Sequence, residues 1–170
     1  MSRAEPFVSI PVGVVIERRK ANNPWVDFVW RPVAVLPGVP DTAPWTALDG
    51  DADRTSFYGG AAAIELYRSD TSGYRDNLEM GRALLWVVLR PTGRDPPYEI
   101  AAITAEPGEG EAFTESAADL VETVAMPEPV RAAIAEFIAA HHVEHPFVKR
   151  ERDRADPEAM ARRRPAKDRR

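Results

Sequence analysis

All three histidines of the chain fall within five residues, His141-His142-Val143-Glu144-His145. Imidazoles spaced i,i+3 (His142 and His145) or i,i+4 (His141 and His145) on a helix could share one metal ion. The competing reading is structural. His145 precedes Pro146, and a residue before proline avoids helical geometry. Histidines near a helix C-terminus are also favoured by the helix dipole. His141, His142 and His145 are therefore weak metal candidates, and no metal or other cofactor is assigned. A second pattern, Asp49-Gly50-Asp51-Ala52-Asp53, alternates carboxylates as a calcium loop does. The EF-hand needs Gly at its sixth position and Glu at its twelfth, and here Arg54 and Gly60 stand there. Solvated loop acids are the simpler account.

The remaining chemistry-bearing patterns are absent. The chain has no Cys, which removes thiolate zinc sites, iron–sulfur ligation and a Cys nucleophile. Neither a phosphate-cradling glycine loop, nor a dinucleotide turn, nor a nucleophile elbow occurs. No catalytic residue is assigned, and the protein reads more as a binding protein than as an enzyme. Four Trp are present, and aromatics and Arg are the usual anchors of interfaces. Trp25, Arg31, Trp45, Phe57 and Tyr58 are the candidate partner contacts. A second reading is a small-ligand binder or enzyme with a pocket under the 37–60 loop, where Asp51 or Asp53 would work with His141 as acid and base.

The elements that must carry these residues are mostly strands. Val8 to Lys20 and Trp25 to Leu36 read as a hairpin joined by Ala21-Asn22-Asn23-Pro24. Gly13 inside the first strand signals a bulge or a close backbone approach. Pro32 signals a bend or an edge position in the second. Residues 37–60, rich in Pro, Gly and Asp, read as a long loop or flap. Ala61 to Ser69 is the next strand, and Asp70 to Gly73 a turn. Ala83 to Leu89 is an unbroken apolar run of strand length, placing it at a sheet centre. Tyr98 to Ala105 follows as a strand, then a Gly/Glu loop at 106–111, then a short strand at Leu120 to Met126. One helix starts at Pro127-Glu128-Pro129, with Val130, Ile134, Phe137, Ile138 and His141 as its apolar stripe. The expected fold is α+β: a mostly antiparallel sheet or partly open barrel of five to six strands, with one C-terminal amphipathic helix packed on it.

Length and charge bound the organisation. A chain of 170 residues with 44% hydrophobic and 29% charged content suits one domain, expected over residues 1–147. Residues 148–170 read as a charged, disordered tail: from Lys149 onward there are ten basic and five acidic residues, although the whole chain carries −5. Acids interspersed in the tail and an acidic body argue against nucleic acid as a partner. The N-terminus lacks the pattern of a signal peptide, and no apolar run approaches membrane-spanning length, so a cytoplasmic location is expected.

Several segments taken in order carry a resemblance. Pro11-Val12-Gly13-Val14-Val15-Ile16-Glu17-Arg18-Arg19, Asn23-Pro24-Trp25 and Trp30-Arg31-Pro32-Val33-Ala34-Val35 open it. Tyr74-x-x-Asn77-Leu78, Met126-Pro127-Glu128 and Pro146-Phe147-Val148-Lys149-Arg150 continue it. Together they resemble the bacterial "domain of unknown function 3305" family, whose members tend to be encoded beside molybdenum-dependent formate dehydrogenase and its accessory proteins. The resemblance implies a cytoplasmic, non-catalytic accessory or maturation protein. Its implied partner is a formate dehydrogenase subunit or maturation factor. It supplies no catalytic residues.

Overall fold

A computed structural model of the chain describes residues 5–144; the expected charged tail and His145 lie outside them. Strands β1 (Val8–Asn23) and β2 (Val26–Pro37) form the expected antiparallel hairpin. Asn23 closes its tip, its side-chain oxygen accepting from the Trp25 N–H at 3.0 Å. Opposite Val15 and Ile16 the register jumps from Ala34 to Pro32, so Val33 is an extra residue. Pro32 cannot donate to a ladder, and β2 lies at a sheet edge, as its prolines require.

The 37–60 segment is not a flap. It contains β3 (Thr46–Gly50) and the first part of β4 (Arg54–Leu66), which pair antiparallel across a turn at Asp51 to Asp53. Asp51 builds that turn: its carboxylate accepts from the backbone N–H of Asp53 at 2.8 Å and of Arg54 at 3.0 Å. Turn chemistry accounts for the Asp cluster. Gly59 and Gly60 stay in the strand because β4 pairs along β1 over most of its length. The first sheet therefore runs β2-β1-β4-β3.

The second sheet runs β6-β5-β7 and is also antiparallel. Its centre is β5 (Leu84–Pro91), the expected apolar run, with β6 (Tyr98–Thr104) and β7 (Leu120–Ala125) on either side. Among the described residues, seven strands in two sheets replace the five to six expected. The sheets approach along β4 beside β6 and β2 beside β7 and do not close into a barrel.

Among the described residues, three α-helices replace the single one expected. α1 (Thr71–Glu79) stands where a turn is expected, and α2 (Pro107–Thr114) where a Gly/Glu loop is. Glu106 caps α2, its carboxylate accepting from Gly108 N at 3.1 Å and Glu109 N at 2.6 Å. Gly110 is required because the Trp86 ring occupies the space where a side chain would stand. α3 (Glu128–His141) begins at its paired prolines, lies beside α1, and buries Val130, Ile134 and Phe137.

One core unites these parts. Val12, Val14 and Ile16 of β1 meet Ile64 and Leu66 of β4, Leu85, Val87 and Leu89 of β5, and the buried stripe of α3. Gly13 faces the other side of β1, where the buried Tyr58 ring leaves no room: a Cβ there would stand 2.8 Å from Tyr58 Cε2. Asn77, buried on α1, ties three elements together. Its amide donates to Leu84 O and Ala105 O, both at 2.8 Å, and accepts from Leu84 N at 3.0 Å. Removing that side chain leaves three backbone groups short of a partner. Asn77→Ala should cost about 2–4 kcal/mol, read as a drop in the urea midpoint at unchanged slope. Gly13→Ala should cost about 1–3 kcal/mol by overpacking.

Candidate functional site

Alternation along β1 sends neighbouring charges to opposite faces. Arg18 continues the core face of Val12, Val14 and Ile16 beyond the apolar core. There its guanidinium lies over the Phe28 ring at 4.4 Å, the Phe57 ring at 5.3 Å and the Trp30 ring at 5.9 Å. Trp30, Trp45 and Phe57 form a ring cluster with centroids 5.8–6.0 Å apart, and Tyr98 of β6 joins it at 6.3 Å from Trp30. Trp30, Trp45, Phe57 and the 94–97 turn line an open cavity of about 560 Å³, with Arg18 and Arg94 at its border. Among the described residues Arg18 has no carboxylate within ion-pair distance. A cation–π bed therefore carries that side chain.

Trp45 forms the ridge of this groove. On its other side a second cavity of about 330 Å³ is bordered by Gly59, Gly60 and Tyr98. Its backbone sits at φ +66°, the one non-glycine residue at positive φ among the described residues. A bulky residue held in the left-handed region costs roughly 1–2 kcal/mol. Ring packing against Trp30 and Phe57 offsets that strain. Held strain of this kind clusters at binding sites. Trp25, at the tip of the β1–β2 hairpin, is 89% exposed.

The opposite face of β1 carries a different site. Glu17 is 1% exposed, and three arginines meet on its carboxylate. Arg54 Nε donates to Oε2 at 2.6 Å; Arg31 Nε and Arg19 Nη2 donate to Oε1 at 3.3 Å and 3.2 Å. Burial pushes the Glu17 carboxyl up. The Arg54 hydrogen bond, with the charges of Arg54, Arg31 and Arg19, outweighs burial and holds the group below its ordinary value. Sheet register explains the convergence: Arg31 stands directly across from Glu17 on β2, and Arg54 stands across from Arg19 on β4.

A family profile described as "Protein of unknown function (DUF3305)" matches residues 11–151. The chain belongs to this family. The match to DUF3305 spans both faces of β1, the aromatic groove and the Glu17 cluster. Searches of curated proteins and of solved structures each found no match.

The sequence-derived candidates scatter around this DUF3305 domain. Trp45 and Phe57 meet in the groove. Trp25 stands free at the tip, and Arg31 lies on the opposite face, bonded to Glu17. Tyr58 is 2% exposed beneath Gly13, so it cannot serve as a surface contact. His141 packs against the Phe7 ring at 4.5 Å and the Phe137 ring at 4.7 Å. His142 Nε2 meets Arg75 Nη1 at 3.2 Å and its Nδ1 meets Thr71 Oγ1 at 3.1 Å. Arginine can only donate, so Nε2 accepts and the ring proton sits on Nδ1. The two imidazoles thus face different partners, and no group of three potential ligands converges among the described residues. Asp51 and Asp53 flank the start of β4. Phe7, which His141 packs on, bonds to Leu66 at its end. A 13-residue strand separates those ends by roughly 40 Å, so Asp51 or Asp53 and His141 do not form an acid–base pair.

Sequence reasoning missed Arg18 and the Glu17 cluster. A lone acid directly after Val14-Val15-Ile16 was the available signal. Its partner Arg54 is 37 residues away, beyond any local pattern.

Because its carboxyl is held below the ordinary value, Glu17 should add stability above the unfolded-state pKa of about 4.3. That contribution should be lost as pH falls from there through the lower folded-state value. Glu17→Gln should cost about 1–3 kcal/mol near neutral pH. Urea midpoints measured from about pH 6 to about pH 3 should show the two proteins converging only below about pH 4. A gap that stays constant across that range would contradict the assignment.

Proposed function

We propose that this chain is a cytoplasmic, non-catalytic accessory or maturation protein that docks on another protein through its β1–β2 hairpin tip and the adjoining aromatic groove. The observation that carries this reading is Trp25, 89% exposed yet fixed by the Asn23 turn at the end of a 16-residue strand. A large aromatic side chain held out in water is what an interface anchor looks like before its partner arrives. Trp45, Phe57 and Arg18 extend the same end of the molecule into a second contact region. The partner system we propose is a molybdenum-dependent formate dehydrogenase, through one of its subunits or maturation factors. It is the one that the sequence resemblance implies. The described helices include none long and apolar enough to cross a membrane, which is compatible with such a role.

The test is co-purification of the tagged full chain from its host grown with formate and molybdate. A formate dehydrogenase subunit or maturation factor should be recovered. Trp25→Ala should leave folding stability within about 0.5 kcal/mol of wild type. Partner capture should fall at least about tenfold. Unchanged capture by a folded Trp25→Ala protein would exclude the tip. Recovery of the chain alone would remove the proposed partner system.

A further inference from the structure

The Glu17 cluster, on the face of β1 opposite the aromatic groove, has a composition that a structural ion pair does not need. One arginine would neutralise one buried carboxylate, and Arg54 at 2.6 Å already does so. Arg19 and Arg31 add two further positive charges within a few ångströms, and like charges repel at that range. The cluster as built carries three cations and one anion. Counted by itself it has an excess of two positive charges, which Asp51 beside Arg54 partly offsets.

Its donors are also oriented. Arg31 and Arg54 each reach Glu17 through Nε. Both terminal nitrogens of each guanidinium are therefore free of that carboxylate. Arg19 uses one terminal nitrogen, which leaves its other donors available. The three side chains are 52%, 48% and 61% exposed for Arg19, Arg31 and Arg54, while Glu17 beneath them is 1% exposed. A buried acid thus holds three planar donor forks at the surface and spares them the entropy of ordering on binding. Beside Arg19 and Arg54 lies a concavity of about 570 Å³ that also takes in Lys20 and Asp53. Those two charges offset each other, with Lys20 Nζ 4.0 Å from Asp53 Oδ1.

We propose that Arg19, Arg31 and Arg54, positioned by Glu17, form a binding site for a phosphate-class dianion, either inorganic phosphate or a phosphomonoester. The net positive charge of the cluster favours a dianion. Guanidinium forks match phosphate oxygens in pairs. Glu17 is a positioning residue, and the arginines are the contacts.

The experiment is a titration of the full-length chain with inorganic phosphate, and separately with phenyl phosphate, against sodium chloride at matched ionic strength. Arginine Nε–H resonances are followed by NMR, with thermal midpoints in parallel. Phosphate should shift the Arg19, Arg31 and Arg54 signals saturably and raise the midpoint, where chloride does neither. Arg31→Ala and Arg19→Ala should each weaken binding about tenfold. Both keep the Arg54–Glu17 pair and so should keep the fold, and Arg82→Ala, a remote loss of the same charge, should bind as wild type does. Equal affinity for phenyl phosphate would assign the site to phosphomonoesters, and binding of phosphate alone would assign it to the free ion. Shifts reproduced by chloride, or phosphate affinity retained in an Arg19→Ala/Arg31→Ala double variant, would overturn the proposal.

Discussion

Everything else in this molecule hangs on β1 having two ladders at once. It pairs with β2 over residues 13–23 and with β4 over residues 8–19, so both ladders hold it from Gly13 to Arg19. That stretch has no free edge, so its side chains can leave only through the two faces of the sheet. Period-2 alternation then sorts them without compromise. Val12, Val14 and Ile16 enter the core. Gly13, Val15 and Glu17 go to the other face, where Gly13 must be bare because the Tyr58 ring already occupies the space. Beyond the core the same alternation sends Arg18 to the rings and Arg19 to the carboxylate.

Both candidate sites lie where the two-sheet core runs out. The first sheet extends past the second, and β1 and β2 carry on as a ribbon. The second sheet reaches the apolar surface there only through Tyr98 of β6 and the 94–97 turn. Trp30, Trp45, Phe57 and Tyr98 cover one another instead, and the Arg18 guanidinium closes over them. Trp45 shows what holding that arrangement costs, since its backbone sits in a conformation that L residues avoid. On the reverse face, Glu17 is the one buried carboxylate of the strand. Three arginines meet there because two adjacent ladders each deliver an arginine to its side, alongside Arg19 of its own strand.

Local sequence legibility varied by element, for physical reasons. The β1–β2 hairpin, β5, β7 and α3 could be read because pattern and punctuation agreed: alternation or an apolar run, bounded by Asn-Pro, Pro or paired prolines. β3 and the start of β4 could not. Their Asp and Gly residues have low intrinsic strand preference, and only the ladders β1–β4 and β4–β3 make them strands. α2 was hidden by its two glycines, of which Gly110 makes room for the Trp86 ring and Gly108 lies against the capping Glu106 carboxylate. α1 was hidden because Ser69-Asp70-Thr71-Ser72-Gly73 has turn chemistry, and Asp70 turns out to sit at the helix start.

The sequence by itself determined the residue types, the strand-rich character, the C-terminal helix, the family and the list of aromatics available for contact. These are local or whole-chain properties, carried by neighbours in the chain or by the ordered series of motifs. Only the tertiary structure decided which of those residues meet. Tyr58 became buried against Gly13 on one face while Phe57 beside it became groove on the other, since adjacent strand residues face opposite ways and register alone selects between them. Arg31 left the aromatic set to join Glu17, and Arg54 reached the same carboxylate from 37 residues away. Register across two ladders is a long-range property, and one residue of slip would exchange the two faces.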